Sequence, residues 1–216
     1  MRKGEITRAA IMESAKKEFY ERGYIAVRIR DITEKMNLQT SWVSYYFKTK
    51  DNLVAEISRE ASLKVEERMK QSGLELQNPM LFHFVRARLL FGISMEDDNT
   101  KRFRYEITYK NATLQTSGFY NSQIYGDIVR YYGLDISEAR FYVLRDMCTV
   151  ARNHFLVNYL DGRYKYPIDH DQAFTILEGI FPHSIGLDPN LVEDLLAQSI
   201  DIAKKIDVQG IHLLLS

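Results

Sequence analysis

Eight side chains between residues 40 and 50 combine hydrogen-bonding groups, aromatic rings and positive charge. They are Thr40, Ser41, Trp42, Ser44, Tyr45, Tyr46, Lys48 and Lys50. Hydroxyl groups can hydrogen-bond base edges, and basic side chains neutralise phosphates. A short helix with such an outer face and a basic end has a shape that suits the major groove of DNA.

Residues 27–50 have the pattern of two short helices joined by a tight turn. The apolar face of the first helix is made by Ile29, Ile32 and Met36. Asn37 stands at the turn, where asparagine tolerates a left-handed backbone better than most residues. In the second helix Val43 and Phe47 face inward, which leaves the polar and aromatic side chains outside. The alternative is an ordinary helical hairpin that binds nothing.

An amphipathic helix precedes this pair and ends at Gly23, and the whole segment resembles the N-terminal domain of TetR-family transcriptional regulators. The residues that carry the resemblance are Ile11, Ala15, Phe19, Gly23, Tyr24, Arg30, Asp31, Ile32, Leu38, Tyr46, Phe47, Lys48, Lys50, Asp51 and Leu53. The resemblance covers residues 7–57. It implies a three-helix head that binds double-stranded DNA.

The resemblance also implies roles for single residues. Arg30 corresponds to a basic residue that reaches a base or a phosphate, and Lys50 to a lysine that contacts phosphate. The residues that open the recognition helix and form its outer face are Thr40, Ser41, Trp42, Ser44, Tyr45 and Tyr46.

Three positions depart from the family pattern. Arg28 stands where the family usually has Thr or Ser as a helix cap and phosphate contact; arginine can pair with phosphate but cannot cap. Ser44 stands where Tyr is usual, and Trp42 where a small residue is usual. The resemblance therefore implies DNA binding without specifying the operator sequence.

The charge distribution agrees with a DNA-binding head. The chain has no net charge, but residues 1–50 hold 11 basic and 6 acidic residues, a balance of +5. Residues 51–216 hold 18 and 23, a balance of −5. Attraction to phosphate needs only a local basic patch. The basic N-terminus has no apolar segment behind it and no apolar run approaches the length of a membrane span, so a cytoplasmic protein without membrane contact is expected.

Beyond residue 50 helical periodicity continues, and the sequence predicts an all-α fold of about nine or ten helices. Residues 1–50 are expected to form the helix-turn-helix DNA-binding domain, and residues 51–216 a helical ligand-binding and dimerisation domain. Helices are expected over roughly 51–72, 79–95, 137–160, 169–182 and 189–206, with a turn at 96–100 and a break near Ser117 and Gly118. Each of the four prolines is expected at a helix boundary, and the apolar tail is expected to dock on the body.

The helix over 79–95 is apolar nearly all round and carries Arg88 between aromatic residues. A buried arginine needs an acceptor, which is either a small-molecule effector or a structural carboxylate such as Glu106 or Asp146. The residues considered for an effector pocket are Phe84, Arg88, Phe91, Met95, Tyr105, Tyr109, His154 and Asn158. In the TetR family the C-terminal domain binds inducers of many kinds, so the resemblance implies an effector without naming it.

One helix-turn-helix contacts too little DNA for useful specificity, so a homodimer on a palindromic operator is expected. The residues considered for the dimer interface are Leu177, Leu191, Leu195, Ile202 and Ile206. The alternative is that these faces only close the core of the monomer. The long helix from Asp51 is the expected lever through which an effector changes the spacing of the two heads.

The expected function is a repressor released from DNA by its effector. No glycine-rich phosphate loop, HExxH or G-x-S-x-G pattern is present, the five histidines are scattered, and Cys148 stands alone. We therefore expect no catalysis, metal or cofactor. An activator of the same architecture and a helical protein-interaction scaffold are the alternatives.

Overall fold

The apolar periodicities correspond to ten helical segments in the computed structural model, which describes residues 3–73, 77–112 and 126–215. They are α1 (Lys3–Arg22), α2 (Ile29–Glu34), α3 (Ser41–Phe47), α4 (Lys50–Gln71), α5 (Pro79–Ser94), α6 (Asp98–Tyr109), α7 (the helical residues 126–131), α8 (Glu138–Leu160), α9 (His170–Ser184) and α10 (Pro189–Ala203). No strand occurs within the described ranges, and the predicted all-α class is confirmed. The predicted break near Ser117 and Gly118 lies outside them.

Polar caps define where most helices begin. The side chain of Asn78 accepts hydrogen bonds from the amides of Met80 and Leu81 at 3.0 and 3.2 Å, and Pro79 occupies the first turn of α5, as predicted. Ser137 caps α8 and Asp169 caps α9 in the same way. These caps satisfy amide groups that have no partner inside the helix.

Two predicted boundaries are wrong. Pro182 lies inside α9, which continues to Ser184, so this proline does not mark the end of the helix. The expected turn at 96–100 is also too long, because Asp97 caps α6 and the helix begins at Asp98. In both cases the predicted helix boundary is displaced by a few residues, and helix ends are uncertain by one or two residues.

The three helices of the head share an apolar core with the body. Phe19 of α1 and Phe47 of α3 are buried together with Ile57 and Val65 of α4. Phe103 of α6 stacks on Phe19, with 5.4 Å between ring centroids. The division predicted after residue 50 therefore stays a prediction about function, because apolar packing continues across that position.

Helix α5 runs through the body and packs against α4, α6, α9 and α10. Met80 and Phe84 on this helix are fully buried. The apolar tail docks as predicted, with Ile211, Leu213 and Leu214 buried. None of the described helices is long and apolar enough to cross a membrane.

Burial within the single chain favours the alternative for the expected dimer face, that it closes the core of the monomer, and its role in a dimer stays a prediction. Leu177, Leu195 and Ile206 are only 4–5% exposed, and Leu191 and Ile202 are partly buried against the same cores. These side chains close the monomer, because α10 packs on α5 and α9. A different apolar stripe faces solvent on α8, where Val143, Met147 and Val150 are 58%, 62% and 60% exposed.

Candidate functional site

The predicted DNA-facing residues lie on one exposed region around α2 and α3. Asn37 adopts φ 53°, the left-handed turn that the sequence predicts between the two helices. Val43 and Phe47 face the core, so the remaining side chains of α3 face outward. Those that are exposed are Arg28, Arg30, Thr40, Ser41, Trp42, Ser44, Tyr45 and Lys48, and those that are partly buried are Tyr46 and Lys50.

Three aromatic rings on α3 support one another. Trp42 stacks on Tyr46 with centroids 5.9 Å apart, and Tyr45 meets Tyr46 edge-on at 4.9 Å. Tyr45 is nevertheless 76% exposed and projects furthest. The cluster therefore presents a stiff aromatic edge, which suits contact with thymine methyl groups and sugar rings.

Helix α3 ends in a strained turn at Lys48. Lys48 has φ 66° and ψ −55°, and the amide of Thr49 donates to the carbonyl of Phe47 at 2.8 Å. This is a γ-turn with positive φ, which is rare and costly for a residue with a side chain. The turn directs the chain from α3 into α4 and leaves the Lys48 ammonium exposed.

Lys50 has a positioning role that the sequence does not reveal. Its ammonium donates to the carbonyls of Tyr24 and Val27, at 2.6 Å for Val27, and lies 3.9 Å from the Tyr24 ring centroid. Burial lowers the pKa of Lys50, although Asp51 and Glu106 oppose the shift. The ammonium therefore clamps the loop between α1 and α2. Its phosphate contact stays a prediction.

Arg28 and Arg30 present their charges without competition from described residues. Neither guanidinium forms an ion pair within the described part of the chain. The Arg28 amide donates to Asp31 at 2.9 Å, and Arg22 pairs with the same carboxylate at 3.1 Å. The amide of Arg28 and the charge of Arg22 lower the pKa of Asp31 against the opposing effect of burial. Asp31 thus braces the start of α2, and the Arg28 and Arg30 guanidiniums remain available to phosphates.

Helix α6 attaches the body to the loop behind the reading surface. Arg102 donates to the carbonyls of Tyr20 and Glu21 at 2.8 and 3.1 Å. Glu106 accepts the amide of Ile25 at 2.7 Å. Gly23 has φ 81°, a conformation that strains any residue with a side chain, and a Cβ there would lie 2.7 Å from both Glu106 carboxylate oxygens, so the carboxylate would have to move. A movement of α6 would be transmitted directly to the head.

The predicted effector residues do not converge on one site. Arg88 pairs with Asp171, donates to Ser199 at 3.1 Å and lies 4.1 Å from the ring centroid of Phe174. This contact matches the structural alternative, an ion pair with a carboxylate, and an effector contact of Arg88 stays a prediction. Phe84 and Phe91 are packed in the core around it, with Met95 against the same cluster.

The other predicted effector residues lie at the surface. Tyr105 and Tyr109 stack on each other at 5.9 Å, and Tyr109 is 53% exposed. His154 is exposed and bonds Asn158 at 2.9 Å, one turn along the same helix. These pairs satisfy themselves locally, so neither forms the wall of a buried pocket with Arg88.

A polar cluster that the sequence reading overlooked joins four helices inside the body. It consists of His83 and Arg86 on α5, Arg104 on α6, Arg152 on α8 and Glu178 on α9. Glu178 is 5% exposed, accepts from His83 at 2.8 Å and pairs with Arg152. Arg86 pairs with Glu66 of α4 at 3.0 Å. Ion pairs and hydrogen bonds of the cluster therefore link α4, α5, α8 and α9.

The electrostatics of this cluster are unusual. Burial by itself raises the pKa of Glu178, but the charge of Arg152 and the hydrogen bond from His83 outweigh it and lower the pKa to about 2. Burial lowers the pKa of His83, which keeps the ring neutral at pH 7. Burial and the nearby charge of Arg152 lower the pKa of Arg104 to about 10. Arg104 remains a cation at neutral pH.

The sequence did contain a signal for this cluster. Glu178 stands in the apolar stretch TILEGIF, and His83 and Arg86 stand in HFVRARLLF. Single charged residues inside apolar helical stretches are rarely buried unless they are paired. They indicate that a buried partner exists but not which residue it is. His83 and its partner Glu178, for example, lie 95 residues apart in the sequence.

Known proteins resemble the chain at two levels, in the head and in the whole fold. Residues 11–57 match the family model of bacterial regulatory proteins, tetR family. The crystal structure of RolR in complex with the ligand resorcinol matches with a TM-score of 0.58 and 20% identity, covering 91% of this chain and 95% of that one. RolR without ligand matches with a TM-score of 0.51 and 18% identity, covering 91% and 96%. No curated protein matches the chain.

The likeness to RolR shows a shared fold, and the family match covers the helix-turn-helix together with the start of α4. Both agree with an exposed reading surface on α3 and a helical body behind it. Residues 11–57 therefore form a helix-turn-helix head that matches the family model of bacterial regulatory proteins, tetR family, on a chain that has the fold of RolR.

Proposed function

We propose that the protein is a repressor that binds a palindromic DNA operator as a homodimer and leaves it when a small-molecule effector binds the body. The observation that supports DNA binding is the outer face of α3, whose hydroxyl and aromatic side chains are exposed. Arg28 and Arg30 lie beside it and form no ion pair with any described residue. Direct contacts to bases come from Thr40, Ser44 and Tyr45. Arg28, Arg30 and Lys48 contact phosphates.

The homodimer forms through the exposed stripe of α8. Val143, Met147 and Val150 follow the i, i+4, i+7 spacing of one helical face and are more than half exposed. Such a face is a favourable surface for helix pairing between two copies, since pairing removes it from water. A twofold axis through this contact would relate the two α3 helices and would require an inverted repeat in the operator.

Effector control is supported by α6 and by the fold. Helix α6 contacts the head through Arg102 and Glu106 and carries Arg104 into the buried cluster. RolR, which shares the fold, has been crystallised with resorcinol, and a small-molecule effector for this chain is proposed by analogy. Repression is favoured over activation because effector-driven respacing of two heads releases DNA most simply.

The test is selection of bound duplexes from a random DNA pool, with light scattering on the free protein. We expect an enriched inverted repeat and a dimer of about twice the 25.3 kDa chain mass. Tyr45→Ala should change the enriched sequence, whereas Tyr166→Ala, a matched exposed tyrosine outside the head, should not. Failure to enrich any DNA would favour the helical scaffold. A reporter gene placed behind the selected operator distinguishes repressor from activator, and its response inside bacteria also tests the proposed cytoplasmic location.

A further inference from the structure

We propose that the effector is a small organic monoanion whose carboxylate is held by Arg104 of α6 and Arg152 of α8, beside Glu178. This inference rests on the proposed effector control and specifies the chemistry of the effector. It places the effector carboxylate at Arg104 and Arg152, whereas the sequence offered Arg88 as one possible effector contact.

The buried cluster holds more positive than negative charge. Glu178 is one carboxylate shared by Arg152 and His83, and Glu66 is taken by Arg86. His83 contributes no charge at neutral pH because burial lowers its pKa. The cluster together with Glu66 thus holds three guanidiniums and two carboxylates, an excess of one positive charge.

The excess positive charge lies on Arg104. Its residue surface is only partly exposed, and its Nε is buried and donates to no acceptor. Within the described part of the chain its guanidinium makes no hydrogen bond or ion pair. The Nε of that guanidinium has given up water without gaining a partner, which is an unfavourable arrangement that an anion bound to the guanidinium would relieve.

The cluster also selects the type of anion. An excess of one charge matches a monoanion and is exceeded by a phosphate dianion. Guanidinium groups bind carboxylates through two parallel hydrogen bonds, and such charge-assisted bonds are about twice as strong as neutral ones. Glu178 already accepts a hydrogen bond from Arg152, so it fixes that guanidinium in place. Its negative charge also disfavours an effector that carries a second negative charge.

The position of Arg104 explains how such an anion would reach the head. Arg104 stands on the same helix as Arg102 and Glu106, which hold the ends of the loop behind α2. Drawing Arg104 towards a carboxylate between α6 and α8 would shift α6. That shift would alter the contacts at Tyr20 and Ile25, and it would affect the head only if the anion prefers the shifted arrangement.

The experiment is thermal unfolding of the full chain, without DNA, against sodium acetate, hexanoate and benzoate at constant ionic strength. Acetamide, hexanamide and benzamide are the neutral controls. We expect at least one carboxylate to raise Tm saturably, by roughly 3–5 °C at ten times its Kd, while its amide has no effect. Inorganic phosphate should act more weakly.

Variants identify the site. Arg104→Met should weaken the carboxylate response about tenfold or more and should raise Tm without ligand, because it removes a buried charge that has no partner. Arg104→Lys should restore part of the response. Arg130→Met, the matched change at an exposed arginine, should leave the response intact.

Two results would overturn the anion site. One is the absence of a saturable response to any of the three carboxylates in the wild type. The other is a response that Arg104→Met and Arg130→Met reduce equally. Since DNA is absent from the assay, either result leaves the proposed DNA-binding function to its own test, and failure of DNA selection leaves the anion measurement unaffected.

Discussion

Replacing Gly23 by alanine tests the contact between α6 and the head most directly. Gly23 has φ 81°, and the new Cβ would lie 2.7 Å from both oxygens of Glu106. The left-handed backbone costs an alanine roughly 1–2 kcal/mol. The carboxylate must also move away, which breaks its bond to the Ile25 amide and costs about 1 kcal/mol more at this solvent-exposed position.

The total for Gly23→Ala is therefore about 2–3 kcal/mol. In a chain of this length each kcal/mol lowers Tm by about 2–4 °C, so we expect Tm to fall by roughly 4–12 °C. Urea unfolding gives the free energies directly, and amide hydrogen exchange should show faster exchange at Ile25.

A double-mutant cycle with Glu106→Ala isolates the contact. Once the carboxylate is absent, Gly23→Ala should cost only the backbone strain, so the two changes should be non-additive by about 1 kcal/mol. Additivity within about 0.3 kcal/mol would refute the reasoning, because it would show that Glu106 does not restrain this loop.

Four further predictions concern the reading surface, the dimer and the buried cluster. Arg28→Ala should reduce the slope of log affinity against log salt by about one unit with little change in Tm; an unchanged slope would remove it from the phosphate contacts. Lys50→Ala should lower Tm as well as DNA affinity, since it also removes the hydrogen bonds to two carbonyls of the loop between α1 and α2. Weaker DNA binding at an unchanged Tm would leave Lys50 only the phosphate contact. Met147→Glu should give folded monomers in light scattering, with Leu63→Glu, an exposed leucine on α4, as the control, and a persisting dimer would exclude the α8 stripe. Glu178→Gln should cost roughly 3–5 kcal/mol at pH 7, because it removes the buried carboxylate charge that Arg152 and His83 share. The wild-type pKa of Glu178 lies near 2, below the usual 4.5, so its stabilising contribution is present above pH 4.5 and is lost as the pH falls towards 2. The variant should lack that acid-dependent loss, and identical pH profiles would contradict the pairing.

Local patterns determined the parts of the molecule that depend on neighbours in sequence. The left-handed turn at Asn37, the caps at Asn78 and Ser137 and the outward face of α3 all follow from residues within a few positions of one another. Helix periodicity also established the all-α class. Such features depend on backbone preferences and on which face of a short helix is apolar, and both are readable without tertiary structure.

Only the tertiary structure decided which distant groups meet. The sequence identified Arg88 as a cation that needs an acceptor, but folding supplied Asp171 as its partner and left the Arg104 guanidinium without an ion pair among the described residues. It also buried Leu195, which the sequence offered as an interface residue, and exposed Met147, which the sequence did not single out. The physical reason is that an apolar or charged side chain specifies what kind of surroundings it needs. Which partner provides them depends on how helices far apart in sequence pack.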